Sequence, residues 1–135
     1  KLPFVRKPHY VSLIISMCDV YDALSERRSY KNDLPPNVIY ELMNRERGRG
    51  LDPHLFDAFF SAVGVWPCGT IVRLRNGRIG IVREVNPEAI RSPKVEIVSP
   101  RREGEIINTA ISDDIWAIER ALNPLAEGSE YVPLL

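Results

Sequence analysis

Cysteine and histidine are scarce in this sequence, and long apolar runs are missing altogether. The two cysteines, Cys18 and Cys68, lie far apart with no C-x-x-C spacing, so neither a thiolate metal site nor a redox dithiol is encoded, and a reducing, cytoplasmic setting is the simpler expectation. No apolar stretch approaches the roughly 20 residues needed to cross a bilayer. The opening KLPFVRKPHY lacks the continuous apolar segment of a secretory signal. No excess of either charge exists: 18 lysines and arginines balance 18 aspartates and glutamates, so no global field draws the chain to a nucleic acid polymer or an anionic membrane. Internal repeats and low-complexity segments are also missing. What remains is a chain of 135 residues, enough for one ordinary domain, or one and a small appendage, with a genuine core. Its first residue is lysine, and the expectation is a piece of a longer protein.

The first half is helical in period. From Val11 to Leu24, apolar residues at Leu13, Ile14, Met17, Cys18, Tyr21 and Leu24 follow the three-and-four spacing of one helix stripe, widened by Ile15 and Val20. A largely buried helix is predicted. The proline pair of NDLPPNVIYELMNRERGRG suits the start of a second, half-exposed helix that ends before Gly48 and Gly50. In GLDPHLFDAFFSAVG, Asp52 caps a third helix, Pro53 fits its first turn, Leu55, Phe56, Phe59, Phe60 and Val63 form its apolar face, and Gly64 closes it.

After VWPCG the period becomes that of strands. TIVRLRNGRIGIVREV alternates apolar and basic residues about Asn76-Gly77, a dipeptide suited to a two-residue hairpin turn. KVEIVS predicts a third strand, EIINTAI a fourth, and SDDIWAIERALN a closing helix capped by Ser112 or Asp113. The last residues, PLAEGSEYVPLL, show no periodicity and are expected to form a frayed tail or linker. The fold class is α+β, with helices over 1–65, a small antiparallel β unit with its closing helix over 66–125, and a tail over 126–135.

Chemistry gathers in CDVYDALSERRSYK. Asp19 and Asp22 are three residues apart, and Asp19 stands between Cys18 and Val20 in the most apolar part of the chain. A buried ionised carboxylate costs several kcal/mol unless a cation or hydrogen bonds compensate it. The compensating group is either an arginine, with Arg27 and Arg28 within reach, or a metal ion.

The segment LIISMCDVYDALSERRSYK, followed by LDPHLFDAFF and then by VWPCGTIVRLRNGRIGIV, resembles the carboxyl-terminal half of an HD-GYP domain over roughly residues 10–85. This family comprises cyclic-di-GMP phosphodiesterases of the HD metal-dependent phosphohydrolases. The resemblance implies an HD-type helical bundle followed by a small antiparallel sheet or barrel-like unit, in a bacterial, cytoplasmic protein. It implies a site of two or three divalent ions, commonly iron or manganese, with the first aspartate of D-x-x-D-A-L, Asp19, as one ligand. By the same resemblance Arg28 and Lys31, the basic residues of the R-x-Y-K element, reach the phosphates of a cyclic dinucleotide; Ser29 stands where the family usually has proline. Asp22 is taken as structural. Gly64, Pro67, Gly69, Asn76 and Gly77 match the family's trailing hairpin, where a helix-to-strand corner and a tight turn require such residues.

The departures lie upstream. His9 and His54 are the only histidines, and the sequence contains no His-Asp pair, no His-His-Glu and no Gly-Tyr-Pro. One aspartate cannot hold a di-metal centre. The expectation is therefore a chain that binds no metal and hydrolyses nothing alone, with the catalytic half elsewhere in a parent enzyme. The alternative is a degenerate, non-catalytic HD-GYP-like interaction module. Either way, apolar helix faces left uncovered favour self-association. The arginines of the hairpin, Arg73, Arg75, Arg78 and Arg83, are expected to form a solvated strand face or a stripe for an anionic partner.

Overall fold

The computed structural model describes residues 10–26 and 34–135. Three helices, α1 (Tyr10–Glu26), α2 (Pro36–Asn44) and α3 (Pro53–Val63), precede five strands: β1 (Ile71–Leu74), β2 (Ile79–Glu84), β3 (Lys94–Ser99), β4 (Ile106–Asn108) and β5 (Ile118–Ala121). The α+β class predicted from the change of period is the class observed.

Local chemistry explains the helix ends. Asp52 Oδ1 accepts the backbone N–H groups of His54 and Leu55, each at 3.0 Å, which satisfies two donors the first turn of α3 would otherwise leave free. Gly64 ends the helix at φ 77°, its N–H donating to the Phe60 carbonyl at 2.8 Å; a Cβ there would press against Val85 Cγ1 at 3.0 Å. Pro36 opens α2 without a side-chain cap. Met17, Ile39, Met43, Leu51, Phe56 and Phe60 pack where the three helices meet. The Phe60 ring is the hub: its centroid lies 4.8 Å from Tyr40, 4.9 Å from Phe56, 5.0 Å from Phe59 and 6.1 Å from Tyr21.

The strands lie in the order β4-β3-β2-β1-β5, each antiparallel to its neighbours. Val72, Leu74, Val82, Val95 and Ile97 pack on one face with Val65, Trp66 and Ala121, and Tyr40 and Ile90 touch both this cluster and the helical one. Arg91 fastens the same junction, with its guanidinium 5.1 Å over the Tyr40 ring and Nη2 3.3 Å from Glu41 Oε2.

Three expectations are corrected. The Asn76-Gly77 hairpin is not a two-residue turn: Leu74 N–H donates to Arg78 O at 2.8 Å, so three residues form the loop, and Gly77 alone takes a positive φ, 85°. Asn76 stabilises the loop by accepting Arg78 N–H on Oδ1 at 3.1 Å. The closing helix over 112–123 does not form. A 3-10 turn at Asp114–Trp116 leads into β5, whose backbone pairs with β1. The tail is not frayed: a 3-10 segment, Ser129–Leu134, lays Tyr131 and Leu134 on the second sheet face against Ile71, Ile79, Ile81, Val98 and Leu122. That cover is why β2 is buried on both faces.

Beneath it, Arg83 Nε donates to Glu96 Oε1 at 2.9 Å and Arg83 Nη2 to the Leu134 carbonyl at 2.9 Å, while Arg102 Nε reaches Glu96 Oε2 at 3.1 Å. The Arg83 hydrogen bond, opposed by burial and reinforced by Arg102, holds the Glu96 carboxyl below its ordinary range. A depressed folded pKa contributes stability that is present above the unfolded value, about 4.3, and is lost as pH falls through the folded one. Glu96→Gln is expected to lower stability at neutral pH and to make its loss below about pH 4.3 shallower than in the wild type; thermal melts between neutral and acid pH check this.

Candidate functional site

The two aspartates stand on α1, whose packed stripe centres on Met17, with Tyr21 and Leu24 against the helical core. At 3.6 residues per turn, Val11, Ile15 and Asp19 succeed one another along the opposite side, and Asp22 follows close to that line. Val11 and Ile15 are each 54 % exposed, and Asp19 and Asp22 are exposed as well. Ile14 and Val20, also exposed, flank the stripe. Between α1 and α3 the surface dips into an apolar hollow of about 230 Å³ lined by Ile14, Met17, Leu55, Ala58 and Phe59.

This corrects the expectation that Asp19 lies in an oily interior. Its sequence neighbours are apolar, but α1 carries apolar residues on two sides and the described residues cover one of them. Neither the Asp19 nor the Asp22 carboxylate makes a hydrogen bond or ion pair with any described residue. The arginine compensation considered from the sequence, Arg27 or Arg28, falls outside the described residues, as do Lys31 and His9. His54 is exposed at the first turn of α3, as its position implied.

An ion of the iron or manganese kind takes several protein ligands. Among the described residues no group of three or more histidine, cysteine, aspartate and glutamate side chains is placed to hold a metal ion. These residues alone do not fit such a centre. No described helix is long and apolar enough to cross a membrane.

Pro67 O accepts both Thr70 N–H at 3.0 Å and Thr70 Oγ1 at 2.5 Å, and Gly69 N–H donates to Val82 O at 2.8 Å, turning the chain from α3 into β1. The arginines do not form a basic stripe. Arg73 is 3.7 Å from Glu119, Arg78 lies 5.2 Å over the Trp116 ring, and Arg83 is held by Glu96. Of these four, only the Arg75 guanidinium lacks a partner among the described residues. The roles of Arg91, Glu41 and Tyr40 at the junction carried no sequence signal, because their contacts join residues some fifty positions apart.

With α1 bearing the D-x-x-D-A-L residues ahead of a helix-to-sheet corner, the chain resembles the carboxyl-terminal half of an HD-GYP domain. It is similar to the cyclic di-GMP phosphodiesterase PA4108 of Pseudomonas aeruginosa, 37% identical over 98 residues that make up 70% of this chain and 23% of that relative. The chain thus spans under a quarter of the relative it matches. No family model matches the chain, and no solved structure does.

Proposed function

We propose that these residues are the carboxyl-terminal part of a metal-dependent HD-GYP-type phosphodiesterase that acts on cyclic di-GMP, and that they hydrolyse nothing on their own. The observation that carries the reading is the outer side of α1, where an apolar strip, Val11 and Ile15, runs into Asp19 and Asp22. A helix side that faces water is mostly polar, and consecutive apolar positions along one line fit a side covered by further protein. Once covered, Asp19 would be a carboxylate withdrawn from water, and a nearby cation would then offset its desolvation. The 37% match supports the same reading, since the segment it covers includes under a quarter of the relative and leaves ample length for the rest of a domain.

In this reading Asp19 gives one carboxylate to a donor set completed by residues outside those described, Asp22 supports the end of the helix, and Arg28 and Lys31 bind phosphate oxygens. Guanidinium suits that task because its paired N–H groups match two oxygens of one phosphate. When bound, iron or manganese supplies Lewis acidity and an activated water.

The test compares the longer protein with the isolated 135-residue chain. Cyclic di-GMP hydrolysis, followed by chromatography of the products, is expected from the first and not from the second. The isolated chain is also expected to self-associate through α1 in light scattering. Absence of hydrolysis by the longer protein with its metal supplied would favour the non-catalytic interaction module instead.

A further inference from the structure

At the corner between the helices and the sheet lies a second hollow, about 250 Å³, of different character from the apolar dip beside α1. Trp66, Arg75, Arg91, Ser92, Thr109 and Ile118 are among the residues that line it. Trp66 follows α3, Arg75 belongs to the hairpin loop, Arg91 and Ser92 to the connection between β2 and β3, Thr109 directly follows β4, and Ile118 opens β5.

Hydrogen-bond accounting there leaves donors in excess. Trp66 is 94% buried, the complement of its 6% exposure, yet its indole N–H has no partner among the described residues. The Arg75 guanidinium has none either, although its backbone is pinned by a 2.9 Å bond from Arg75 N–H to Ala117 O. Arg91 spends one edge on Glu41 and one face on Tyr40, which leaves most of its five N–H donors free. The Ser92 hydroxyl is unpartnered among the described residues, and the Thr109 hydroxyl donates to Pro93 O at 2.7 Å. A buried indole without an acceptor is uncommon, because an unmet buried donor costs about 1–3 kcal/mol.

We infer that this hollow is a binding site for a small oxyanion of the phosphate class, gripped by Arg75 and Arg91 and completed by the Trp66 indole N–H and the Ser92 hydroxyl. Two guanidinium groups with neutral donors are the set that phosphate oxygens take. The volume falls below the 300 Å³ or so of pockets for drug-sized ligands, which restricts the occupant to a phosphate or a compact phosphate ester. The inference rests on residues other than those of the proposed phosphodiesterase function.

The experiment is isothermal titration of the full-length protein with inorganic phosphate, with chloride at matched ionic strength as the reference. Saturable binding with a dissociation constant of about 1 mM or tighter is expected. Arg75→Gln should weaken it by about 10- to 100-fold, and Ser92→Ala by less. Arg28→Ala should not remove the binding that depends on Arg75, which separates this site from phosphate held near Asp19. Because Arg75 is exposed in a loop and its backbone bond survives substitution, loss of binding in Arg75→Gln is not a folding defect; a melting temperature within a degree or two of wild type would verify that. No saturable heat below about 10 mM, or equal affinity in wild type and Arg75→Gln, would overturn the inference.

Discussion

Asp19→Ala, made in the longer protein, is expected to reduce cyclic di-GMP hydrolysis by about 100-fold or more while leaving stability within about 0.5 kcal/mol of wild type in this part of the chain. The asymmetry follows from position. Asp19 is exposed on α1 and its carboxylate makes no hydrogen bond or ion pair with the described residues, so no side-chain contact these residues contribute to folding is lost with it. Partners one shell beyond a metal ligand already matter 10–100-fold, and a ligand itself matters at least as much. Denaturant midpoints and initial rates measured on the same preparation decide the question. A fall in stability matching the fall in rate would make Asp19 a packing residue instead. Asp22→Ala, three positions on, should have the smaller effect of a helix-end residue.

Phe60→Ala should cost about 3–5 kcal/mol. Phe60 is 1% exposed and touches four other rings, and its neighbour Tyr40 also packs on the sheet, so the cavity opens at the junction rather than at an edge. Against a total of about 5–15 kcal/mol, that loss leaves little margin, and a fall in melting temperature of about 10–20 °C is expected for a chain of this size. A change under about 1 kcal/mol in urea unfolding would mean that the ring cluster is not the keystone of the helical part.

Local signals in the sequence were read correctly where they act locally. Asp52, Pro53 and Gly64 fix α3 because cap, first turn and terminus are each decided by one residue's own chemistry. KVEIVS was found to the residue because its apolar run is short and bounded by proline on both sides. The segment SDDIWAIERALN misled because its apolar residues at Ile115, Ile118, Ala121 and Leu122 imitate a helix stripe. What prevails is the free edge of β1, more than forty residues away, which pairs Ala121 with Val72 and Ile118 with Leu74. No window on the sequence contains that edge. The tail was misjudged for the same reason, since Tyr131 and Leu134 acquire a partner only once the second sheet face exists.

The candidate site was legible in composition and misjudged in burial. Apolar neighbours in sequence placed Asp19 in an interior, but a helix with apolar residues on two sides needs two partners, and α2 and α3 supply only one. The exposed side that results, 54% at both Val11 and Ile15, is the observation on which the proposed covering of α1 rests. The phosphate hollow had no sequence signature: Trp66, Arg75, Arg91 and Ser92 come from separate connections that only the sheet brings together.

Metal content of the longer protein, measured by elemental analysis on wild type and Asp19→Ala side by side, tests the central claim most directly. Bound iron or manganese in the wild type and its loss from the variant is the expected result. Equal metal in the two proteins, with both folded, would contradict the assignment of Asp19 as a ligand and remove the reason given for a carboxylate on the outer side of α1.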